Sequence, residues 1–204
     1  PTVGDIDILA SSARPQEVVD HFVSLPQVSE VSSHGDTKAT VYLDSGLQVD
    51  LMVLEEAHYG SLLQHFTGSK DHNADLRGLA RRQGLSLSEY GFQREDGSIT
   101  ACPTEEEVYA TLRLAWIPPE LREARGELEA AQEGRLPHLM GEADLRGDLH
   151  THTTCSDGAS TIEEMALAAR ARGYEYILIT DHSQGLGVAG RLSADGFARQ
   201  WAEI

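Results

Sequence analysis

A chain of 204 residues with 40% hydrophobic and 24% charged residues has room for one large domain or two small ones and the ordinary make-up of a globular protein, if slightly polar. Its 33 acidic and 16 basic side chains leave a net charge of −17. That excludes a broadly basic nucleic-acid-binding surface and confines any DNA contact to a patch that is local, metal-bridged or supplied from outside the chain.

No apolar run approaches the roughly 18 residues of a membrane-spanning helix, so no membrane partner is expected. No secretory signal is visible. Cys102 and Cys155 stand in unrelated contexts, which fits a reducing, cytoplasmic location better than a disulfide framework. The chain starts at Pro1 and stops in the helix-like run Phe197–Ile204, and it reads as an excerpt of a longer protein.

The first predicted element is a strand in Thr2–Leu9. Strand side chains alternate, so Asp5 and Asp7 project from one face while Ile6 and Ile8 point into a core. Two acids about 6–7 Å apart on one strand repel each other unless a cation lies between them. Either a solvated acidic face or a site for Mg²⁺ or Mn²⁺, which prefer hard oxygen ligands, fits this pair. A helix follows at Arg14–Leu25, with Pro15 in its first turn and apolar residues at helical spacing. Strands are expected at Val28–Ser33, Ala39–Leu43 and Leu47–Leu54, the last two joined by the turn Asp44-Ser45-Gly46. In the last strand Asp50 interrupts an apolar run and shares a face with Gln48. If that strand lies beside the first, three carboxylates converge, a constellation able to hold two metal ions about 3.5–4 Å apart.

Helices are expected next at Glu56–Phe66 and Asp71–Gln83, separated by Thr67-Gly68-Ser69, and a hairpin at Phe92–Thr100 around Asp96-Gly97. Thr104 to Glu107 reads as a capping box opening a helix to Leu114. Pro118 and Pro119 end that region. The Glu-, Ala- and Arg-rich stretch from Glu120 to Asp144 has the composition of an exposed linker, with a short helix near Arg122–Glu133. The final stretch reads as strand Gly147–His152, helix Thr161–Arg172 with a Ser160/Glu163 capping box, and strand Tyr174–Thr180, a parallel β-α-β arrangement. His150 and His152 lie on one face at the end of the first of these strands, with Asp157 in the loop that follows, and Asp181 and His182 stand at the end of the second. Ligands of parallel α/β arrangements collect at that strand end, and imidazole with carboxylate suits Zn²⁺, Mn²⁺ or Fe²⁺.

Gly4-Asp5-Ile6-Asp7 with Val49-Asp50-Leu51 resembles the palm of the family X DNA polymerases. His65-Phe66-Thr67-Gly68-Ser69 resembles that family's Tyr-Phe-Thr-Gly-Ser turn, with His65 for Tyr. Asp148–Gly158 and Thr180-Asp181-His182-Ser183, continued through Ala189, resemble the first two motifs of a PHP domain. Palm, thumb, linker and PHP in that order match the bacterial family X polymerases. The resemblance implies an α+β fold, a polymerase beta-like palm and helical thumb, followed by the start of an α/β PHP barrel. The implied boundaries are palm 1–55, thumb 56–116, linker 117–144 and PHP 145–204.

The resemblance implies that Asp5, Asp7 and Asp50 are the catalytic carboxylates and hold Mg²⁺ or Mn²⁺. It implies that Gly4, Phe66, Gly68, Ser69, Asn73 and Arg77 contact nucleotide or DNA, with Phe66 equally readable as a helix-end core residue and Arg81 and Arg82 as a solvated face. His150, His152, Asp157 and His182 hold Zn²⁺ or Mn²⁺ in the PHP unit, and Asp181 supports a ligand. The partners are gapped or primer–template DNA and deoxynucleoside triphosphates. The activity is gap-filling DNA synthesis with a 3′–5′ exonuclease. The alternative is a DNA-gap-binding module with an inactive palm and a structural PHP metal site.

Overall fold

The computed structural model describes residues 4–183 and 192–204. Thr2, Val3 and the motif extension Gln184–Ala189 lie outside them. The chain divides into two compact units, Pro1–Pro137 and His138–Ile204.

The first unit opens with β1 (Asp5–Ser11), α1 (Pro15–Val23), β2 (Val28–His34), β3 (Lys38–Leu43) and β4 (Gln48–Leu54). The sheet order is β1-β4-β3-β2; β1 runs parallel to β4, and the other pairs are antiparallel. Helix α1 covers one face, burying Val19 against Ala39, Leu51 and Val53. On the other face α2 (Tyr59–Phe66) packs Leu62 onto Met52, Leu54 and Leu9. Each such apolar side chain contributes about 1.5–3 kcal/mol when fully buried. Helix α2 covers the C-terminal halves of β1 and β4, and their acidic halves stay uncovered.

Ile6 and Ile8 do not enter a core, contrary to expectation: each is 41% exposed. They share a face with Leu51, but β1 is an edge strand and α1 reaches only its Ala10 end.

The rest of this unit comprises α3 (Lys70–Arg82), the small sheet β5 (Ser86–Ser88), β6 (Gly91–Gln93) and β7 (Ile99–Thr100), then α4 (Glu105–Thr111) and α5 (Glu127–Gln132). Their core contains Leu76, Phe92, Val108, Tyr109, Ile117 and Ala131. Strand β5, three residues long, was too short to show as a periodic pattern. Helix α4 stops before Leu114, because Arg113 adopts a left-handed φ of 61°. Thr104 accepts the Glu107 N–H, which is half of the expected capping box.

The exposed-linker reading is corrected for residues 117–137. Ile117, Arg122, Glu127 and Ala131 are buried, so this stretch packs as part of the helical unit. Its helix is also shorter than expected, Glu127–Gln132.

The second unit holds β8 (Gly147–Thr151), α6 (Ile162–Ala171), β9 (Tyr176–Ile179) and α7 (Ala194–Glu203), with β8 and β9 parallel. The capping box on α6 sits one residue later than expected. Thr161 accepts from the Glu164 N–H, and Glu164 accepts from the Thr161 N–H. Among the described residues no helix is long and apolar enough to cross a membrane.

Candidate functional site

The parallel register sets Asp7 beside Asp50 and Asp5 beside Gln48. Registered residues in a parallel pair share a face, and strand period two adds Asp5 to that face. All three carboxylates therefore meet on the side left open by α2. Asp7 titrates above the ordinary aspartate value because burial disfavours its charge and the charges of Asp5 and Asp50 add to that. A field of this sign is what a divalent cation relieves, so the three residues fit Mg²⁺ or Mn²⁺. The Asp50 carboxylate accepts from the Thr40 hydroxyl on one oxygen and from the Gln48 amide at 2.7 Å on the other.

A cleft of about 270 Å³ is lined by Asp7, Asp50, Lys38, Thr40 and Phe66, among others. Phe66 ends α2 and is 39% exposed, so it is a cleft residue and not a core residue. Gly68 has φ +120°, and a Cβ there would come within 2.9 Å of the Arg122 side chain. Ser69 caps α3 by accepting the His72 N–H, and its own N–H donates to the Arg122 carbonyl. The turn is thus pinned by Arg122, a residue that sequence reasoning missed. The guanidinium of Arg122 is fully buried. It pairs with both oxygens of Glu105 at 2.6 and 3.0 Å and donates to the carbonyls of Thr67 and Ile117.

Asn73 uses both ends of its amide internally, donating to the His65 carbonyl and accepting from Gln64. In this conformation it anchors α3 to α2. Arg77 is half-buried on α3, four residues before exposed Arg81. Gly4 precedes β1, and a side chain there would enter open space, so no internal contact demands glycine.

In the second unit His152, Asp157 and His182 bring donor atoms within 4.8 Å of one another. His152 Nδ1 lies 3.2 Å from Asp157 Oδ1, and His182 Nε2 lies 3.5 Å from Asp157 Oδ2. The His152 Nδ1 atom is buried without a hydrogen bond, an expense that a metal would remove. Burial opposes ionisation of Asp157, yet the Ser156 hydroxyl and the two imidazoles hold its pKa below the ordinary range. This donor set fits Zn²⁺ or Mn²⁺. His150 stays exposed outside the compact triple, its ring 5.1 Å from that of His152.

Asp181 is buried and accepts hydrogen bonds from the Thr153 N–H and hydroxyl, the Ser156 hydroxyl and the Gln200 amide. Burial disfavours its charge, but those donors outweigh burial and lower its pKa. It holds the loop between His152 and Asp157 in place. Thr153 and Gln200 were missed: Gln200 lies on a distant helix and carries no local signal.

The model of the DNA polymerase beta thumb matches residues 62–123, and that of the PHP domain matches residues 148–198. The chain is 42% identical over 206 aligned residues to the DNA polymerase/3′-5′ exonuclease PolX of Bacillus subtilis (strain 168). That alignment takes in 100% of this chain and 36% of the relative. Rat DNA polymerase lambda is 30% identical over 87 residues, covering 37% of this chain and 15% of its own length. Human DNA-directed DNA/RNA polymerase mu is 31% identical over 102 residues, covering 49% of this chain and 20% of its own length. The chain thus spans about a third of its Bacillus relative and smaller shares of the other two. A match to the polymerase beta thumb is thus followed by a match to the PHP domain, in a chain whose whole length aligns with about a third of the Bacillus protein, so the chain is similar throughout to a bacterial family X DNA polymerase that carries a PHP domain.

Proposed function

We propose that this chain carries the catalytic carboxylates of a template-directed DNA polymerase that fills gaps in DNA repair, with a 3′–5′ exonuclease in its PHP unit. The observation that supports it best is the in-register pairing of Asp7 with Asp50, which brings them onto one open face with Asp5. On this reading the palm is residues 1–55, the thumb runs from 56 to 137, and the PHP unit follows.

Asp5, Asp7 and Asp50 would hold Mg²⁺ or Mn²⁺. A divalent ion in such a site neutralises charge on a transferring phosphoryl group and lowers the pKa of a primer hydroxyl. The protein mainly positions the reactants. Phe66 and the Gly68-Ser69 turn shape the space for a nucleotide sugar, and Arg77 faces a DNA phosphate. Asn73 reaches DNA only by releasing its bonds to Gln64 and His65. In the PHP unit His152, Asp157 and His182 would hold Zn²⁺ or Mn²⁺, with His150 beside them. Such an ion supplies an activated water for phosphodiester hydrolysis. Asp181 keeps the donors in place.

The test is primer extension and 3′–5′ degradation by the full gene product with Mg²⁺ or Mn²⁺. Asp50→Ala should lower extension about 1,000-fold, equal to about 4 kcal/mol, and leave degradation intact. His152→Ala should do the reverse. Equal extension by Asp50→Ala and the parent protein would leave only a DNA-gap-binding palm.

A further inference from the structure

Among the three palm carboxylates, Asp50 is held differently from the others. Thr40 lies directly opposite Asp50 across the antiparallel β3–β4 pair, and its hydroxyl donates to Oδ1. Gln48 precedes Asp50 by two residues on the same face of β4, and its amide donates to Oδ2 at 2.7 Å. Gln48 is itself held, since its carbonyl oxygen accepts from the Tyr42 hydroxyl at 3.3 Å. Tyr42 and Gln48 are partners in the same register. Asp7, by contrast, takes no hydrogen bond among the described residues, and its surroundings act only through burial and like charge.

A carboxylate offers about four acceptor positions on its two oxygens. Two neutral donors, one to each oxygen, fix the plane of the Asp50 carboxylate and leave its remaining lone pairs free. Neither donor carries a positive charge, so the full negative charge stays available to a cation or a proton. An Arg or Lys in the same place would also orient the group, but would cancel much of that charge. The donors sit on paired strands rather than on a loop, which favours a precise orientation.

We infer that Thr40 and Gln48 are positioning residues that lock the Asp50 carboxylate toward Asp7 without neutralising it, with Tyr42 setting the Gln48 amide. This rests on the palm reading proposed above. Thr40 and Gln48 touch neither substrate nor reacting atoms; they act through Asp50. The consequence is a division of labour. Asp50 is oriented before any cation arrives, whereas Asp7 is free to adjust around it.

The experiment compares Thr40→Val, Thr40→Ser, Gln48→Leu and Asp50→Ala in the full gene product. Steady-state primer extension is read alongside direct calorimetric titration with Mn²⁺. For the titration, His152→Ala and His182→Ala are added to remove donors of the second unit. Thr40→Val and Gln48→Leu should each lower kcat about 10- to 100-fold, the worth of a hydrogen bond to a charged group. The nucleotide KM should stay within about threefold of the parent value, because uniform substrate binding is untouched. Mn²⁺ affinity should fall about tenfold in the same two variants. Thr40→Ser, which keeps the donor, should restore both readouts. If Thr40→Val fails to fold, Gln48→Leu and the serine variant carry the comparison. The inference is overturned if Asp50→Ala is inactive while Thr40→Val and Gln48→Leu match the parent within twofold in kcat and Mn²⁺ affinity. If Asp50→Ala itself extends primers normally, the palm reading falls, and the clamp with it.

Discussion

At Asp7, burial and two like charges act in the same direction. Its folded pKa lies above the ordinary value of 3.8 because of burial, then Asp5, then Asp50. A raised pKa means the proton is bound more tightly in the folded state. The favourable contribution is therefore fully present below pH 3.8 and is lost as the pH rises through the folded pKa. At neutral pH the metal-free site is strained by its own charge. Asp7→Asn should then raise the melting temperature of the metal-free protein at pH 7. It should also shrink the stabilisation that Mn²⁺ gives the parent protein, read by thermal melts in EDTA and in excess Mn²⁺. A variant that melts lower in EDTA and gains as much from Mn²⁺ as the parent would contradict a cation site here.

The same residues show what the sequence made legible. Asp5, Asp7 and Asp50 could be found because an acid in an apolar strand run needs a reason, and strand period two fixes its face. Gln48, two residues from Asp50, was legible as its neighbour on the same face, but Thr40 could not be found as a donor, since the β3–β4 register joins residues ten positions apart and no local pattern reports it. His150 and His152 looked equivalent in the sequence. Only the chain's path past the end of β8 separates exposed His150 from His152, whose buried Nδ1 joins Asp157 and His182.

Elements with clear periodicity or caps, such as α1, α3 and α6, appeared where expected. The stretch after Pro119 did not behave as its composition suggests. A run rich in Glu, Ala and Arg reads as solvated because charged side chains are rarely buried unless paired. Here they are paired over long separations: Arg122 with Glu105, 17 residues away, and with the Thr67 carbonyl, 55 residues away. His72 likewise meets Glu127 at 2.6 Å and the Tyr109 hydroxyl at 3.0 Å. These contacts tie the segment to α3, α4 and the Thr67-Gly68-Ser69 turn. Removing one partner of a buried pair leaves the other charge uncompensated. Arg122→Met should destabilise the protein by about 3–5 kcal/mol in urea denaturation. A double variant, Arg122→Met with Glu105→Leu, should recover a large part of that loss, because the orphaned carboxylate is gone. If the single variant loses less than about 1 kcal/mol, the ion pair is worth no more than an exposed one.

For the whole molecule, the α+β class followed by a parallel β-α-β unit was legible from the order of elements. The division at Pro137 was blurred by the buried segment before it. Charge poses the sharper question, because a chain of net charge −17 repels DNA on average. On the function proposed above, DNA binding would have to come from cation-bridged carboxylates and from a few placed bases, and those two sources differ in salt dependence. Each phosphate neutralised by a base contributes about −0.9 to the slope of log affinity against log salt. Arg77 is half-buried on α3, whereas Arg81 and Arg82 are exposed at its end. With fluorescence anisotropy on a labelled primer–template at fixed Mg²⁺, Arg77→Ala should make the salt slope of the full gene product shallower by about 1. Arg81→Ala should leave the slope unchanged, as expected for a side chain that only solvates the helix end. An unchanged slope for Arg77→Ala would remove Arg77 from the DNA interface. A shift for Arg81→Ala would extend the basic contact along α3 and assign the helix end a role in binding.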